Sequence, residues 1–265
     1  MKVENIVNQF TVNTMPSIHK GRQKSFAAAV CSTLVRNELT VTAVGRGIDG
    51  DAEPKAKIKR FDRLCSNPNL AREKNSIYAT ICTQWIPANA RPVILVDWSD
   101  LDDHKNAFLI SATQSYDGRP ITLYQEVHSI ETKETRQSHN NFLTQLKGFN
   151  ASKSYKINRI EILMLIAAVA ALILIIIGTA VEQAGMHLRY QANTEKKRRV
   201  LSLHFLGCEV IKDAGMNVTF AALGQAVIHM RKIISMIDRS LWAGKGNPDE
   251  KCQPSLPEYQ NNMFH

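Results

Sequence analysis

The sequence predicts an α+β protein in which a small sheet lies between two helical regions. Apolar residues recur every three or four positions through much of the first ninety residues, residues 92–127 change to short extended runs, and the chain from Ser154 onward is again helical in pattern. With 44% hydrophobic and 22% charged residues, the 265-residue chain has a globular composition. We divide it into a helical N-terminal domain (1–90), a sheet region (91–148), C-terminal helices (149–243) and a tail (244–265).

The N-terminal domain is predicted to contain three helices. Pro54 ends a turn rich in Gly and Asp and is well placed in the first turn of the third helix. In that helix Ile58, Phe61 and Leu64 lie on one face, and most of its Lys and Arg residues lie on the others. A short helix, a turn and a basic amphipathic helix are the parts of a helix-turn-helix DNA-binding motif, although a solvated cationic face has the same pattern. The predicted helices are Lys24–Asn37, Thr40–Gly45 and Lys55–Cys65.

The sheet region is predicted to contain three strands in an antiparallel meander. Pro92–Asp97 is a continuous apolar run typical of a fully buried strand. Ala107–Ala112 and Pro120–Val127 follow, and Asp117-Gly118 between them is a hairpin turn signal.

Asp97 is the residue of this region whose position suggests chemistry. A carboxylate that ends a buried strand must be compensated, and a metal ion would do this. Asp100, Asp102, Asp103 and Lys105 follow closely, so the segment fits equally well a helix start with acidic capping residues.

The C-terminal region opens with an apolar helix, Ile162–Val181, of twenty uncharged residues. Its length suits either a membrane span or the central helix of a large soluble core. Basic residues flank it on both sides and therefore indicate no orientation in a membrane. Two amphipathic helices are predicted after it, Leu201–Asp213 and Thr219–Trp242.

Charge and cysteine content narrow the class of protein. Lys and Arg outnumber Asp and Glu by 13 to 7 in residues 1–90 and by 14 to 9 in 151–265, whereas 91–150 holds 6 against 8. Basic flanks of this kind suit a polyanion such as DNA, or an anionic membrane surface. The five cysteines form no C-x-x-C pair, so they suggest neither a zinc site nor a disulfide framework, and a reducing compartment fits best. The first 30 residues contain no secretory signal pattern.

Several long blocks resemble the DDE transposases of bacterial insertion sequences, in particular the cut-and-paste enzymes of the insertion-sequence-four group. RPVILVDWSDLDDHKNAFLISA, followed by GRPITLYQEVH, resembles the first catalytic strand of this group. LTVTAVGRGIDGDAEPKAKIKRFDRLCSNPNL is similar to its DNA-binding region, and RIEILMLIAAVAALILIIIG and QANTEKKRRVLSLHFLG are similar to its C-terminal helices. The resemblance extends from about His19 to about Asp238 and keeps the family order.

The resemblance implies a truncated RNase H-like core and a role in DNA transposition and DNA recombination. Asp97 matches the first acid of the DDE triad, which holds Mg²⁺ in the family. The implied partner is double-stranded DNA at the terminal inverted repeats of the element, in the bacterial cytoplasm, with a possible dimer with itself or with an intact transposase. A soluble family argues against a membrane span. The candidate DNA-binding residues, which lie in the block similar to the DNA-binding region and are inferred from their charge, are Lys57, Lys59, Arg60 and Arg63.

The chain departs from the family in the middle of the catalytic domain. The second Asp and the Glu of the Y-x2-R-x3-E-x6-K pattern are missing, with the join near Gly148. Glu161 matches an acidic position after the catalytic Glu and is not a substitute for it. Because one carboxylate cannot hold two divalent ions, we expect a catalytically defective protein. We also expect the apolar helix to lose its cover and become exposed. The alternative is a single-span membrane protein with basic flanks.

Overall fold

The computed structural model describes residues 2–36, 38–86, 92–148, 158–191, 198–213, 215 and 217–242. Within them the chain has the predicted α+β class, with nine α-helices and one three-stranded antiparallel sheet. The helices are α1 (Val3–Thr14), α2 (Lys20–Arg36), α3 (Val41–Gly47), α4 (Pro54–Cys65), α5 (Pro68–Trp85), α6 (Arg136–Gly148), α7 (Asn158–Gln183), α8 (Leu203–Lys212) and α9 (Phe220–Trp242). The strands are β1 (Ile94–Asp100), β2 (Phe108–Tyr116) and β3 (Arg119–His128).

The N-terminal region contains five helices rather than the three predicted. Helix α5 begins at the Asn67-Pro68 pair, where the Asn67 side chain accepts hydrogen bonds from two backbone N–H groups of the first turn. Its apolar periodicity is interrupted because two polar residues, Lys74 and Asn75, are buried on its inner face. Helix α1 was missed although Ile6, Val7 and Phe10 have helical spacing and are buried.

Helices α2, α3 and α4 pack on one another. The Thr40 side chain caps α3 by accepting a hydrogen bond from the Ala43 N–H. Ser32 of α2 donates to the Val44 carbonyl at 2.7 Å, which fixes α3 on α2. Pro54 occupies the first turn of α4, as predicted. Helix α4 packs on both of the helices before it.

The sheet has the order β1-β2-β3, and both pairings are antiparallel as predicted. Asp117 and Gly118 have φ angles of 48° and 71°, which are typical of a type I′ hairpin turn. The central strand β2 supplies Phe108, Ile110 and Tyr116 to the interior.

The prediction that Pro92–Asp97 forms a fully buried strand is wrong. β1 pairs with β2 alone and is an edge strand, and Leu95 and Val96 are 55% and 42% exposed. Ile94 and Trp98 pack against the core. A continuous apolar run is typical of a strand inside a sheet that is covered on both faces, whereas β1 lies at an edge and has one neighbour among the described residues.

Helix α7 is the centre of the hydrophobic core, and the expectation that it would be exposed is wrong. It packs against α2, α8, α9 and β3. Arg159–Gln183 is the one helix in the described part of the chain long and apolar enough to cross a membrane, and 67% of its apolar window is buried. A single core cluster runs from Ile6 to Ile234, so helices from both ends of the chain share it.

Helices α7 and α8 approach until their backbones touch. A Cβ atom on Gly178 would lie 2.1 Å from the Leu203 carbonyl oxygen, and one on Gly207 would lie 2.2 Å from the Leu174 carbonyl oxygen. The two contacts are reciprocal and one helical turn apart on each helix. Only glycine permits this approach at either position.

Helices α8 and α9 agree with the predicted Leu201–Asp213 and Thr219–Trp242 to within two residues at each end. The predicted tail, 244–265, lies outside the described residues.

Candidate functional site

The exposed face of α4 carries a row of cations. Lys55, Lys59 and Arg63 are each four residues apart, so they stand above one another on the solvent side of the helix. On the opposite side Phe61 and Leu64 anchor α4 in the core. Ion pairs found in the described residues include none to these three cations. Like charges at this spacing repel each other by about 0.2–0.5 kcal/mol per pair, so the row does not stabilise the helix.

Three of the four cations predicted from the sequence lie on this surface. Lys59, Arg60 and Arg63 are exposed. Lys57 is half-buried, because it lies seven residues before the buried Leu64 and therefore on nearly the same side of the helix. The Arg60 guanidinium reaches α2, where its Nη2 lies 3.5 Å from the Ser25 hydroxyl. Lys55 was left out of the predicted set, although its spacing from Lys59 and Arg63 could have identified it.

The one acidic residue of α4, Asp62, is engaged by the central helix. Asp62 forms an ion pair with Arg159 at the start of α7. This contact fastens α4 to the central helix and pairs the carboxylate of α4 with a cation from outside the helix.

Asp97 does not end a buried strand, as the sequence predicted, but lies exposed in the middle of β1. It pairs with Ser111 of β2, and Ser111 accepts a hydrogen bond from Gln125 of β3 at 3.1 Å. Because the register places these three residues side by side, they share one face of the sheet.

The other acids near Asp97 do not complete a metal site with it. Asp100 is three residues further along the same regular strand and so belongs to the opposite face, where it approaches Lys133 at 3.5 Å. Asp102 accepts hydrogen bonds from the backbone N–H groups of Asn106 and Ala107, and the bond from Ala107 is the main cause of the lowered pKa of Asp102. The segment is a loop rather than the alternative helix start.

The donor set around Asp97 does not fit a pair of divalent cations. Two such ions need several carboxylates that converge on one point. In the described ranges no group of three or more His, Cys, Asp or Glu side chains is placed to hold a metal ion.

A buried polar network behind the sheet was missed in the sequence. Lys74 of α5 places its ammonium 2.8 Å from Glu161 Oε1 of α7, and both side chains are less than 5% exposed. The contact does not meet the angular criteria of a hydrogen bond, so the attraction between Lys74 and Glu161 is electrostatic. Next to it, Tyr124 donates to Glu126 at 2.5 Å, and His128 contacts the other oxygen of that carboxylate at 3.3 Å. The network joins the N-terminal helices to the sheet and to the central helix.

Glu126 should make the stability of the protein sensitive to acid. Burial raises the pKa of this carboxyl. Hydrogen bonds from His128 and Tyr124, together with the charge of Lys74, lower the pKa by more than burial raises it, so the net pKa lies below its ordinary value. A depressed pKa adds stability above the unfolded-state pKa of about 4.3, and that stability is lost as the pH falls through the folded-state value. Denaturant melts between roughly pH 6 and pH 3 should therefore show a smaller loss in Glu126→Gln than in the wild type. The exposed Glu131→Gln should follow the wild type, and an equal loss in both variants would contradict this assignment.

Comparison with known proteins gave no match. No protein-family model, curated protein or solved structure matches this chain.

Proposed function

We propose that this protein is a double-stranded DNA-binding member of the cut-and-paste transposases of bacterial insertion sequences, with a truncated and catalytically defective core. The observation that carries the proposal is the row Lys55, Lys59 and Arg63 on the exposed face of α4, cations for which the described residues supply no ion pair. In this proposal α3 and α4 would be the two helices of a helix-turn-helix motif. The resemblance of the α3–α4 block and of the β1–β2 block to the insertion-sequence-four group supports it.

The geometry of α4 suits a DNA groove. Its inner side is fixed by Phe61 and Leu64, and Asp62 ties it to α7, so the helix would present its cations without reorganising. Rows of Lys and Arg bind DNA mainly by neutralising phosphates and releasing counterions. We place the contacts on Lys55, Lys59, Arg60 and Arg63, with Lys57 at the edge of the surface.

Binding should depend on salt through these residues. We expect Lys59→Gln/Arg63→Gln to reduce the magnitude of the slope of log K against log salt by about 1.8, because each phosphate that is no longer neutralised removes about 0.9. Fluorescence anisotropy of a labelled duplex measures this slope. The matched control is Lys105→Gln/Lys212→Gln, which removes two exposed charges far from α4 in sequence and should leave the slope unchanged. Equal slopes in the two double variants would refute the assignment to α4.

We further propose that the protein does not cleave DNA by itself. Asp97 would be the family ligand of Mg²⁺, but the acids around it do not fit the two ions that the family reaction uses. The interpretation of the sheet as a truncated RNase H-like core is supported by the blocks quoted above and by the order of β1, β2 and β3.

Purified protein incubated with a supercoiled plasmid carrying the element ends, in Mg²⁺ or Mn²⁺, should retard the DNA without nicking it. Asp97→Ala should behave identically, because its exposed carboxylate lacks partner acids among the described residues. Nicking by the wild type that disappears in Asp97→Ala would mean that other acids complete the site.

A DNA-binding protein without cleavage activity would act through its partners. We propose that it occupies element ends and pairs with itself or with an intact transposase as an inhibitor. The edge of β1 that has no neighbouring strand among the described residues, with Leu95 and Val96 exposed, is a surface to which a partner strand could add. Co-expression with an intact transposase should then reduce transposition, and an unchanged frequency would exclude this role.

The alternative proposal is a membrane protein with α7 as its single span. The length and composition of α7 favour it, whereas the burial of α7 among α2, α8, α9 and β3 favours a core helix instead. Association with membranes that resists carbonate extraction supports the span, whereas salt-dependent DNA binding by soluble protein supports the transposase proposal.

A further inference from the structure

An open cavity of about 930 Å³ lies between α1 and α2. Its volume is typical of pockets that bind small organic molecules. Its apolar wall includes Val12 of α1, Ile18 of the connecting turn and Ala27 of α2. The side-chain amide of Gln23, which also lines the cavity, donates to the Met15 carbonyl at 2.5 Å and fixes the turn against α2. The wall is therefore formed without a ligand.

The cavity is lined by a buried hydroxyl residue that has no hydrogen-bond partner. Thr11 is 2% exposed, and its Oγ1 has no partner among the described residues. Thr14, on the next turn of α1, donates to the Phe10 carbonyl at 2.8 Å, a bond that helical threonines can make. Thr11 does not make the equivalent bond to the Val7 carbonyl. A buried hydroxyl without a partner is costly, and a polar group bound in the cavity would remove this cost.

The rim of the cavity is cationic. Lys20 and Lys24 line it, and both are exposed and four residues apart on one face of α2. Within the described ranges neither lysine forms an ion pair, and the residues found to line the cavity include no Asp or Glu. His19, also at the rim, accepts a hydrogen bond from the Gly21 N–H at Nδ1, so the proton of its neutral ring is on Nε2 and adds another donor. Two lysines at a helix end are ordinarily just solvated, but here they share a cavity with the unpaired Thr11 hydroxyl.

We propose that this cavity binds a small organic carboxylate with an apolar body, of the medium-chain fatty acid class. The ammonium groups of Lys20 and Lys24 hold the carboxylate, and the Thr11 hydroxyl donates a hydrogen bond to it. The apolar wall takes the hydrocarbon chain, whose removal from water favours binding. The cationic rim selects an anion, and the apolar wall selects an organic anion over an inorganic one. The inference goes beyond the proposed DNA binding, which uses α4, and does not depend on it.

Isothermal titration calorimetry of the full-length protein with sodium octanoate, octan-1-ol and sodium acetate tests the proposal. The alcohol keeps the chain and lacks the charge, whereas acetate keeps the charge and lacks the chain. We expect octanoate to bind at one site with a Kd on the order of 0.1–1 mM, and the other two to bind at least about tenfold more weakly. Equal affinity for octanoate and octan-1-ol, or no saturable binding of octanoate, would overturn the proposal.

Two double variants locate the site. Lys20→Gln/Lys24→Gln, at exposed positions, should bind octanoate about tenfold more weakly than the wild type, because the carboxylate loses both cations. Lys105→Gln/Lys212→Gln removes the same charge from other parts of the surface and should bind octanoate like the wild type. Equal affinities in the two double variants would mean that octanoate does not bind at this rim.

Thr11→Val tests the buried hydroxyl. Valine has nearly the same shape, and we expect about tenfold weaker octanoate binding because a hydrogen bond to the carboxylate is lost. The melting temperature of the free protein should stay the same or rise, because an unpaired buried hydroxyl has been replaced by a methyl group. A lower melting temperature would mean that the hydroxyl has a partner within the protein, and unchanged octanoate affinity would mean that it does not contact the ligand. Either result contradicts its assignment.

Discussion

Replacing Lys74 by methionine should lower the free energy of unfolding by about 3–5 kcal/mol. The ammonium of Lys74 lies 2.8 Å from Glu161, and its charge also stabilises the Glu126 carboxylate. Methionine keeps most of the side-chain volume but leaves Glu161 buried without its cation. Removing one partner of a buried ion pair is costly because the remaining charge has no solvent to stabilise it. Denaturant unfolding of the purified protein measures the change.

Two further variants show whether charge is the cause. Lys74→Met/Glu161→Gln should recover part of the loss, because the neutral amide no longer needs a cation and can still accept from the Val127 N–H. Lys212 and Glu209 form an ion pair at the same 2.8 Å on the surface, so Lys212→Met should not change stability measurably. A loss in the double variant at least as large as in Lys74→Met would mean that packing, and not the ion pair, holds this position.

Replacing Gly178 or Gly207 by alanine should separate α7 from α8 and cost about 1–3 kcal/mol each, or more if the backbones cannot move apart. In each case the added methyl group would overlap a carbonyl oxygen of the other helix. The thermal melting temperature of each variant measures the effect. Because the two contacts are one turn apart in the same interface, the double variant should deviate from additivity.

Gly224 provides the matched control for these glycines. It lies within α9, and apart from the adjoining backbone of that helix no described atom is within 4 Å of the position its Cβ would take. Alanine there should stabilise the protein by roughly 0.5–1 kcal/mol through its higher helix propensity. Destabilisation by Gly224→Ala equal to that of Gly178→Ala would show that helix packing is not the reason for the loss.

Local signals in the sequence predicted the elements that depend on them. Asp117-Gly118 predicted the hairpin and Pro54 the start of α4, because turn and helix-start chemistry act over a few residues. The α+β class followed from the change of period between the three regions of the chain.

Properties that depend on distant partners could not be predicted in the same way. Whether β1 is central or at an edge depends on the strands available to pair with it, which its own apolar residues do not reveal. The prediction that the Asp97 carboxylate needs a cation assumed that β1 is buried, but Asp97 is exposed to solvent. Lys74 has no local feature that marks it as buried, since its partner Glu161 lies 87 positions away and is adjacent only in the fold. At α4 the cations were predicted as a group, but the half-burial of Lys57 follows from how the helix rests on its neighbours.

The central position of α7 has a consequence for biosynthesis. The apolar face of α2 packs on α7, yet α7 begins more than a hundred residues after α2 ends. At translation rates of about 5–20 residues per second, the first five helices leave the ribosome many seconds before the segment that covers them exists. A nascent chain in this state would expose the apolar face of α2 that α7 later covers. We expect chains stalled before residue 158 to co-purify with ribosome-associated chaperones, and chains released after residue 242 to be free of them.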